Sequence, residues 1–294
     1  KAKEFLNKWK DFPVVIKASG LAAGKGVIIA QNLDEAIKAV EDIMVDEKFG
    51  NAGSQVVIEE FLDGVEASIL SFTDSKVIVP LLSAKDHKKI GEDETGLNTG
   101  GMGVISPNPF VTDEIFEKFK SDIMEPTLKG MQAEGMNFAG VIFFGLMITK
   151  KGVYLLEYNM RMGDPETQAV LPLLENDLLE LIEKSFDKKL SEVKVNWKPL
   201  HSCCVVAAAG GYPENYRKGD EITGVLDFKE TDDNKVFICG AKVEDGKLLT
   251  NGGRVLNAVA LGNTLEEAQR KAYELLKTIN FEGMYFRKDI GGRF

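Results

Sequence analysis

The chain has 294 residues, 44% of them hydrophobic and 28% charged, and its 36 basic and 46 acidic side chains give a formal net charge of −10. This is the composition of a globular protein, and it excludes a disordered or collagen-like chain. The acidic balance repels phosphate backbones and anionic membrane surfaces, so we expect neither nucleic acid nor a membrane as a partner. An anionic small-molecule substrate would need a local pocket of basic side chains or backbone amides.

The cysteines and the apolar runs indicate the compartment. Cys203, Cys204 and Cys239 fit neither a secreted disulfide framework nor a metal pattern, and neighbouring residues on a strand point to opposite faces. No apolar run reaches the roughly 20 residues of a membrane-spanning helix. We therefore expect a cytoplasmic protein. The chain begins with Lys and is amphipathic from its first residues, so we also expect a fragment of a longer protein.

The first part of the chain predicts a strand, a glycine-rich loop, a second strand, a helix and two further strands. These elements cover residues 14–16, 27–30, 34–44, 56–61 and 67–73, with a turn at Asp63-Gly64. A long loop rich in Gly, Asn and Thr is expected over residues 85–109.

The rest of the chain predicts a mixture of helices and antiparallel strands. A helix over 113–134 is capped by Thr112 or Asp113, and a strand pair follows at 141–149 and 152–161. Asp164 is expected to cap the next helix, with Pro165 in its first turn and Pro172 ending it before a helix at 177–186. After a boundary near residues 190–196, short strands lead to a helix over 264–278. The fold class is therefore α+β.

The glycine-rich segment 20–26 resembles a phosphate-binding loop but is not a Walker A motif. Only three residues separate Gly20 from Gly24, and Gly26 stands where Ser or Thr would bind magnesium. Because a strand follows, the segment should form the tip of a β-hairpin that could fold over phosphates, with Lys17 and Lys25 supplying charge. An ordinary turn explains the glycines equally well.

Glu157, Asn159 and Arg161 alternate along a predicted strand and so share one face. Carboxylate and amide oxygens are ligands that magnesium prefers, and an arginine can hold phosphate oxygens. The alternative is an ordinary solvated strand face.

Two further segments could hold a polar ligand. The turn at residues 163–168 delivers a helix N-terminus that attracts anions, although Asp164 could serve only as a cap. The loop at 96–103 offers backbone amides with little side-chain bulk, although a flexible linker would look similar. His87 and His201 are the only histidines, so neither a His-based metal site nor a Ser-His-Asp triad is indicated.

Taken together and in order, these segments resemble the phosphoribosylamine–glycine ligase family. The motifs that carry the resemblance are Lys17-Ala18-Ser19-Gly20-Leu21-Ala22-Ala23-Gly24-Lys25-Gly26, Glu59-Glu60-Phe61-Leu62-Asp63-Gly64, Asn98-Thr99-Gly100-Gly101-Met102-Gly103, Glu157-Tyr158-Asn159 and Arg161-Met162-Gly163-Asp164-Pro165-Glu166-Thr167. The segments Ala209-Gly210-Gly211-Tyr212-Pro213, Asn251-Gly252-Gly253-Arg254-Val255 and Tyr285-Phe286-Arg287-Lys288-Asp289 resemble the C-terminal domain of that family.

The resemblance implies an ATP-grasp fold of two α+β lobes that clasp ATP, followed by a small mixed β/α domain. Its expected parts are a lid subdomain with the glycine-rich hairpin at 1–75, a central subdomain with the metal and substrate sites at 76–193, and a C-terminal domain at 194–294. The implied reaction joins glycine to 5-phosphoribosylamine at the expense of ATP, through a glycyl phosphate, in purine biosynthesis.

The resemblance also assigns roles to residues. Lys17 and Arg161 would be catalytic, and Glu157 and Asn159 would hold Mg²⁺ or Mn²⁺. The residues expected to bind ATP are Lys17, Gly20, Gly24, Lys25, Gly26, Glu59, Glu60, Phe61, Leu62 and Glu66. The residues expected to bind glycine and phosphoribosylamine are Asp86, Asn98, Thr99, Gly100, Gly101, Met102, Gly163, Asp164, Pro165 and Glu166.

Two departures from the family pattern and two rival functions accompany this interpretation. The family carries an N-terminal substrate domain of roughly 100 residues that is absent here, and residues 141–148 lack the second metal-binding acid of many ATP-grasp enzymes. The rivals are another ATP-grasp carboxylate–amine ligase, and a non-catalytic nucleotide-binding module fused to other purine-pathway domains.

Overall fold

A computed structural model describes residues 1–20 and 26–292. The chain forms two compact units, Lys1–Asp63 and Gly64–Phe294. The helices are α1 (Ala2–Leu6), α2 (Leu33–Met44), α3 (Asp113–Phe119), α4 (Glu125–Ala133), α5 (Glu166–Val170), α6 (Leu178–Phe186) and α7 (Leu265–Leu276). None of the helices in this part of the chain is long and apolar enough to cross a membrane.

The strands that the structure describes pair in antiparallel fashion, which confirms the α+β prediction. They are β1 (Val14–Ala18), β2 (Val27–Ala30), β3 (Val56–Glu60), β4 (Val65–Thr73), β5 (Ile78–Asp86), β6 (Lys89–Gly91), β7 (Thr95–Asn98), β8 (Gly103–Ser106), β9 (Gly140–Thr149), β10 (Gly152–Asn159), β11 (His201–Ala208), β12 (Asn234–Ile238), β13 (Ala241–Glu244), β14 (Lys247–Thr250) and β15 (Arg254–Gly262).

The first unit is a three-stranded sheet in the order β2-β1-β3 with helices on one face. Val14 and Ile16 of β1 are fully buried in a cluster with residues of α2. The alternate residues, among them Lys17, therefore face the opposite side of the sheet. The Asn32 side chain caps α2 by accepting from the Glu35 amide, which fixes the helix against that cluster.

The second unit is built on one eight-stranded sheet, in the order β10-β9-β4-β5-β8-β11-β15-β12. Strand β8 pairs with both β5 and β11, so the sheet runs without a break into the C-terminal segment. The predicted division at 1–75, 76–193 and 194–294 stays a prediction.

Helices cover both faces of this sheet. Phe119 at the end of α3 packs edge-on against Phe144 of β9, and Phe144 in turn meets Tyr158 of β10. On the other face, Ala169 and Val170 of α5 join a second apolar cluster with residues of β4 and β5. Cys203 and Cys204 are buried in different clusters, as expected for neighbours on one strand.

Of three local predictions, the loop at 85–109 and the Asp164 cap were wrong, and the helix at 113–134 was right. Residues 85–109 are not an irregular loop, because they contain the hairpin β6–β7 and the buried strand β8. The many glycines and threonines of this segment made it resemble a loop in the sequence. The helix predicted over 113–134 is confirmed, with Thr112 as its N-cap and a π-helical turn at Lys120–Met124 between α3 and α4. Asp164 does not cap α5, because its carboxylate pairs instead with Arg254.

His87 connects the end of β5 to β8. Its amide donates to the Gly103 carbonyl over 2.9 Å, and its carbonyl accepts from the Met102 amide over 2.8 Å. The side chain is 3% exposed, and burial lowers the pKa of His87 to about 4.

This burial predicts an acid-dependent loss of stability. Because the folded-state pKa lies below the unfolded-state value, the contribution of His87 is complete above about pH 6.5 and is lost as the pH falls toward 4. We expect about 2 kcal/mol of unfolding free energy to disappear between pH 7 and 4.5. His87→Gln should flatten that part of the urea-unfolding profile. Equal slopes for the wild type and His87→Gln would contradict this account.

Candidate active site

In the first unit, Lys17 and Glu59 form an ion pair on the sheet face opposite the helices. The Lys17 Nζ lies 2.5 Å from the Glu59 Oε2. Val27, Ile29 and Val57 are large exposed apolar side chains of the same sheet, and the strand register places them on the face of Lys17. This face therefore combines one lysine with an uncovered apolar surface.

Of the predicted glycine-rich segment 20–26, the structure describes Gly20 and Gly26. A Cβ at Gly20 would lie 2.5 Å from the Cα of Ala52, so the close approach of two backbones requires glycine there. Gly26 lies directly before β2. Gly24 and Lys25 lie outside the described residues.

In the second unit, the strand register brings several polar residues to one face of the large sheet. Glu157 pairs with Gly145, Gly145 pairs with Ser68, and Ser68 pairs with Ala84. Glu66 and Asp86 lie two residues from Ser68 and Ala84, so they share this face. Carboxylates from three strands, at positions 66, 86 and 157, thus lie on the side of the sheet covered by α5.

Glu157, Asn159 and Arg161 contact one another, as their alternation predicted. The Asn159 amide nitrogen donates to the Glu157 Oε1 over 3.2 Å, and Arg161 donates to the Asn159 Oδ1 over 3.4 Å. Turning the amide over would direct its oxygen to the side of Glu157 and release the Arg161 guanidinium for other acceptors, and such a flip keeps the same side-chain volume. The residues therefore fit a magnesium-type ion held by two protein oxygens and completed by water and phosphate.

The turn before α5 packs against the loop before β8. A Cβ at Gly101, which has φ of +112°, would lie 2.7 Å from the Asp86 Oδ1 and 2.6 Å from the Pro165 Cδ. A Cβ at Gly163 would lie 2.5 Å from the Glu166 Oε2. Both glycines are thus required by close packing around two buried carboxyl groups.

The Asp86 and Glu166 carboxyl groups are buried near each other. Burial, together with the Glu166 charge, raises the pKa of Asp86 well above its usual value. Burial also raises the pKa of Glu166, against the opposing effect of nearby cations such as Lys88. Within the described part of the chain, the Asp86 Oδ1 has no hydrogen-bond partner, and the Ser68 hydroxyl donates to Glu166 over 3.4 Å. Both carboxyl groups therefore hold a proton more tightly than solvated carboxyl groups do.

Arg254, to which the sequence assigned no role, lies beside the candidate site. One of its terminal nitrogens donates to the carbonyls of Gly100 and Asp164, each over 2.7 Å, and the other donates to the Asp164 carboxylate over 2.8 Å. The Gly100 amide also donates to the Tyr212 hydroxyl over 3.0 Å. The C-terminal part of the sheet thus connects the two predicted substrate segments.

Lys88 also lies beside the candidate site, and the sequence did not predict it there. Its Nζ lies 2.5 Å from the Glu66 Oε2, and its carbonyl accepts from the amide and the hydroxyl of Thr99, each over 2.8 Å. The available signal was its position two residues after Asp86, but the expected irregular loop gave no reason to place it near Glu66.

The remaining predicted residues have mixed environments. Met102 is fully buried in the core, whereas Asn98 is exposed. Glu60 ends β3, and Phe61 and Leu62 follow it at the end of the first unit. In the described ranges, 1–20 and 26–292, no group of three or more His, Cys, Asp and Glu side chains could hold a metal ion.

Comparison with known proteins identifies the family. Residues 1–167 match the phosphoribosylglycinamide synthetase ATP-grasp (A) domain, and residues 202–293 match the C domain of the same synthetase. The chain is 59% identical, over 292 residues, to a phosphoribosylamine–glycine ligase of Fusobacterium nucleatum, covering 99% of this chain and 68% of the relative.

Solved structures agree. The phosphoribosylamine–glycine ligase of Thermotoga maritima superposes with a TM-score of 0.89 at 36% identity, covering 98% of this chain and 71% of that one. A biotin carboxylase domain of Hydrogenobacter thermophilus shares the fold with a TM-score of 0.71 at 14% identity, covering 97% and 60% of the two chains. The predicted ATP-grasp fold is thereby confirmed, and the chain belongs to the phosphoribosylglycinamide synthetase family of ATP-dependent ligases.

Proposed function

We propose that this chain carries the ATP-dependent joining of glycine to 5-phosphoribosylamine, with the acidic sheet face of the second unit as the reaction site. The observation that carries the proposal is the contact of Glu157, Asn159 and Arg161 on the face that also bears Asp86. Membership of the family implies the use of ATP and a divalent metal.

We infer roles in ATP binding for residues of each unit, considered separately. Lys17 would neutralise phosphate charge, and the exposed apolar residues beside it would contact the adenine ring. The adenine base would also contact the backbone of Glu59, Glu60, Phe61 and Leu62. Glu66 would bind the ribose. Gly20, Gly24, Lys25 and Gly26 would close over the phosphates.

The metal would be Mg²⁺ or Mn²⁺, held by Glu157 and Asn159. Both ions prefer oxygen ligands and retain water and phosphate in their coordination shells. When bound, the ion would neutralise charge on the transferred phosphate. Arg161, which follows the metal residues, would hold the remaining phosphate oxygens as a bidentate donor.

The two substrate segments would hold glycine and phosphoribosylamine. The carboxyl groups of Asp86, Asp164 and Glu166 suit the amine groups of these substrates, and the backbone of residues 98–102 and 163–165 suits their carboxylate and hydroxyl groups.

The chemistry requires positioning more than a protein nucleophile. ATP would phosphorylate the glycine carboxylate, and the amine would then attack the acyl phosphate carbonyl and expel phosphate. Aligned substrates, cationic side chains and exclusion of water account for catalysis of this type. We place the reaction in the cytoplasm and expect neither nucleic acid nor a membrane as a partner. The chain could be fused to further purine-pathway domains.

The direct test is phosphate release by the full-length protein. We expect release from Mg-ATP to require both glycine and phosphoribosylamine, and hydroxylamine to trap the glycyl group. Release that depends on another acid or amine would favour a different carboxylate–amine ligase, and nucleotide binding without release would favour a non-catalytic module.

Glu157→Gln removes one charged metal ligand while keeping the side-chain shape. We expect kcat/KM for ATP to fall roughly 100-fold, because the developing phosphate charge loses its counter-ion, and calorimetry should show weaker Mg-ATP binding. Glu183→Gln alters an exposed glutamate on α6 and should change neither quantity. Wild-type affinity in the Glu157 variant would remove the metal assignment.

Lys17→Met tests the role of the first unit. Because hydrogen bonds to charged groups contribute about 1.5–3 kcal/mol, we expect at least roughly tenfold weaker Mg-ATP binding. Lys10→Met, at an exposed lysine outside the sheet, is the matched control. Equal calorimetric affinities of these two variants for Mg-ATP would contradict the assignment of Lys17 to the ATP phosphates.

Asp86→Asn should separate activity from stability. The raised pKa means that the folded state holds the proton more tightly, so the stability contribution of Asp86 is complete at low pH and falls as the pH rises. Each pKa unit corresponds to about 1.4 kcal/mol, so the variant should gain stability relative to the wild type between pH 4 and 8 while losing activity. A pH-independent difference in melting temperature would contradict the burial argument.

A further inference from the structure

Arg287, near the end of the described chain, has no assigned role, and its side chain is fully buried. Its guanidinium forms a fork with Asp289, with contacts of 2.8 and 2.7 Å. It also donates to the Glu94 carboxylate over 2.8 Å and to the Lys89 carbonyl over 3.0 Å. Glu94 and Lys89 belong to the hairpin β6–β7 or its turn, about 200 residues earlier in the sequence.

The same C-terminal segment makes two more contacts with this hairpin. The Tyr285 hydroxyl donates to the Ile90 carbonyl over 2.7 Å, and the Asp93 amide donates to the Asp289 carboxylate over 2.9 Å. Tyr273 of α7 fixes the segment itself by donating to the Arg287 carbonyl over 2.7 Å. The hairpin is therefore attached to the rigid C-terminal part of the molecule.

The hairpin needs such an attachment. All four residues of β7 are exposed, and a lone two-stranded hairpin is marginally stable. Its turn also contains Asp93 and Glu94 with φ of 54° and 56°, a left-handed conformation that side chains other than glycine adopt at a cost. The contacts with Arg287 and Asp289 hold both residues in that conformation.

The base of the hairpin consists of site residues. Lys88 precedes β6 and Thr99 follows β7, and the two are joined through the Lys88 carbonyl. Lys88 pairs with Glu66, and the Thr99 hydroxyl accepts from the Gly101 amide over 3.0 Å. A displacement of the hairpin would move these groups together.

We propose that Arg287 is a positioning residue that holds Lys88 and residues 99–101 in place for glycine and phosphoribosylamine. It touches none of the reacting atoms and acts through the hairpin. The proposal rests on the proposed function, because the substrates of this loop are assigned there. It predicts a larger effect on the KM values of these two substrates than on that of ATP, because the hairpin reaches the proposed ATP-binding residue Glu66 only through the Lys88 ion pair.

The test uses the full-length protein with Arg287→Met and Arg287→Lys. Because small displacements of substrate-binding groups are costly, we expect Arg287→Met to raise both KM values roughly tenfold, with the KM for ATP within about twofold of the wild type. In Arg287→Lys, which keeps the positive charge, the KM values for glycine and phosphoribosylamine should lie between those of the wild type and Arg287→Met. Hydrogen exchange should become faster at residues 89–101.

Glu94→Gln keeps the test decisive if Arg287→Met does not fold. Its matched control is Glu244→Gln, because Glu244 is as exposed as Glu94 and forms an ion pair with the exposed Lys242. Glu94→Gln should raise the same two KM values and speed exchange in the hairpin, whereas the control should do neither. If the variants lower only the melting temperature, raise all three KM values equally or leave the hairpin exchange unchanged, the proposal is overturned. A wild-type protein without glycine-dependent phosphate release would instead refute the proposed function, before any variant is compared.

Discussion

The second unit depends on collecting several carboxyl groups on one face of a sheet. Glu66, Asp86 and Glu157 come from different strands, and Glu166 joins them from α5. Like charges in a partly buried environment repel one another and lose hydration, so the arrangement is stable only with cations and retained protons. Lys88, Arg161 and Arg254 supply positive charge at the edges of this cluster, and Asp86 retains its proton more readily than a solvated acid.

The close packing around these carboxyl groups explains why glycines stand beside them. Gly101 and Gly163 occupy positions where a Cβ would collide with the carboxyl groups or the proline. Gly145 lies between Glu157 and Ser68 across the sheet, and a Cβ there would lie 3.0 Å from the Glu157 side chain. Close packing of glycines thus lets the carboxyl groups lie against the backbone around them. Burying carboxyl groups in this way costs hydration free energy.

Much of this could be predicted from local sequence. The period of two along residues 157–161 gave the shared face of Glu157, Asn159 and Arg161, and alternation also gave the opposite orientations of Cys203 and Cys204. The contributions of Lys88, Arg254 and Arg287 could not be predicted, because each depends on a partner distant in the sequence and on the continuation of one sheet through β8. The helix cap was misassigned at Asp164 for the same reason, since Arg254 competes for that carboxylate.

The metal assignment at Glu157 and Asn159 decides where on the protein the reaction takes place. Anomalous diffraction from crystals of the full-length protein with Mn²⁺ and a non-hydrolysable ATP analogue would test it most directly. We expect a manganese peak at a coordination distance of about 2.1 Å from the Glu157 carboxylate and the Asn159 amide oxygen, beside the terminal phosphate. A nucleotide-bound manganese peak far from both side chains would contradict it.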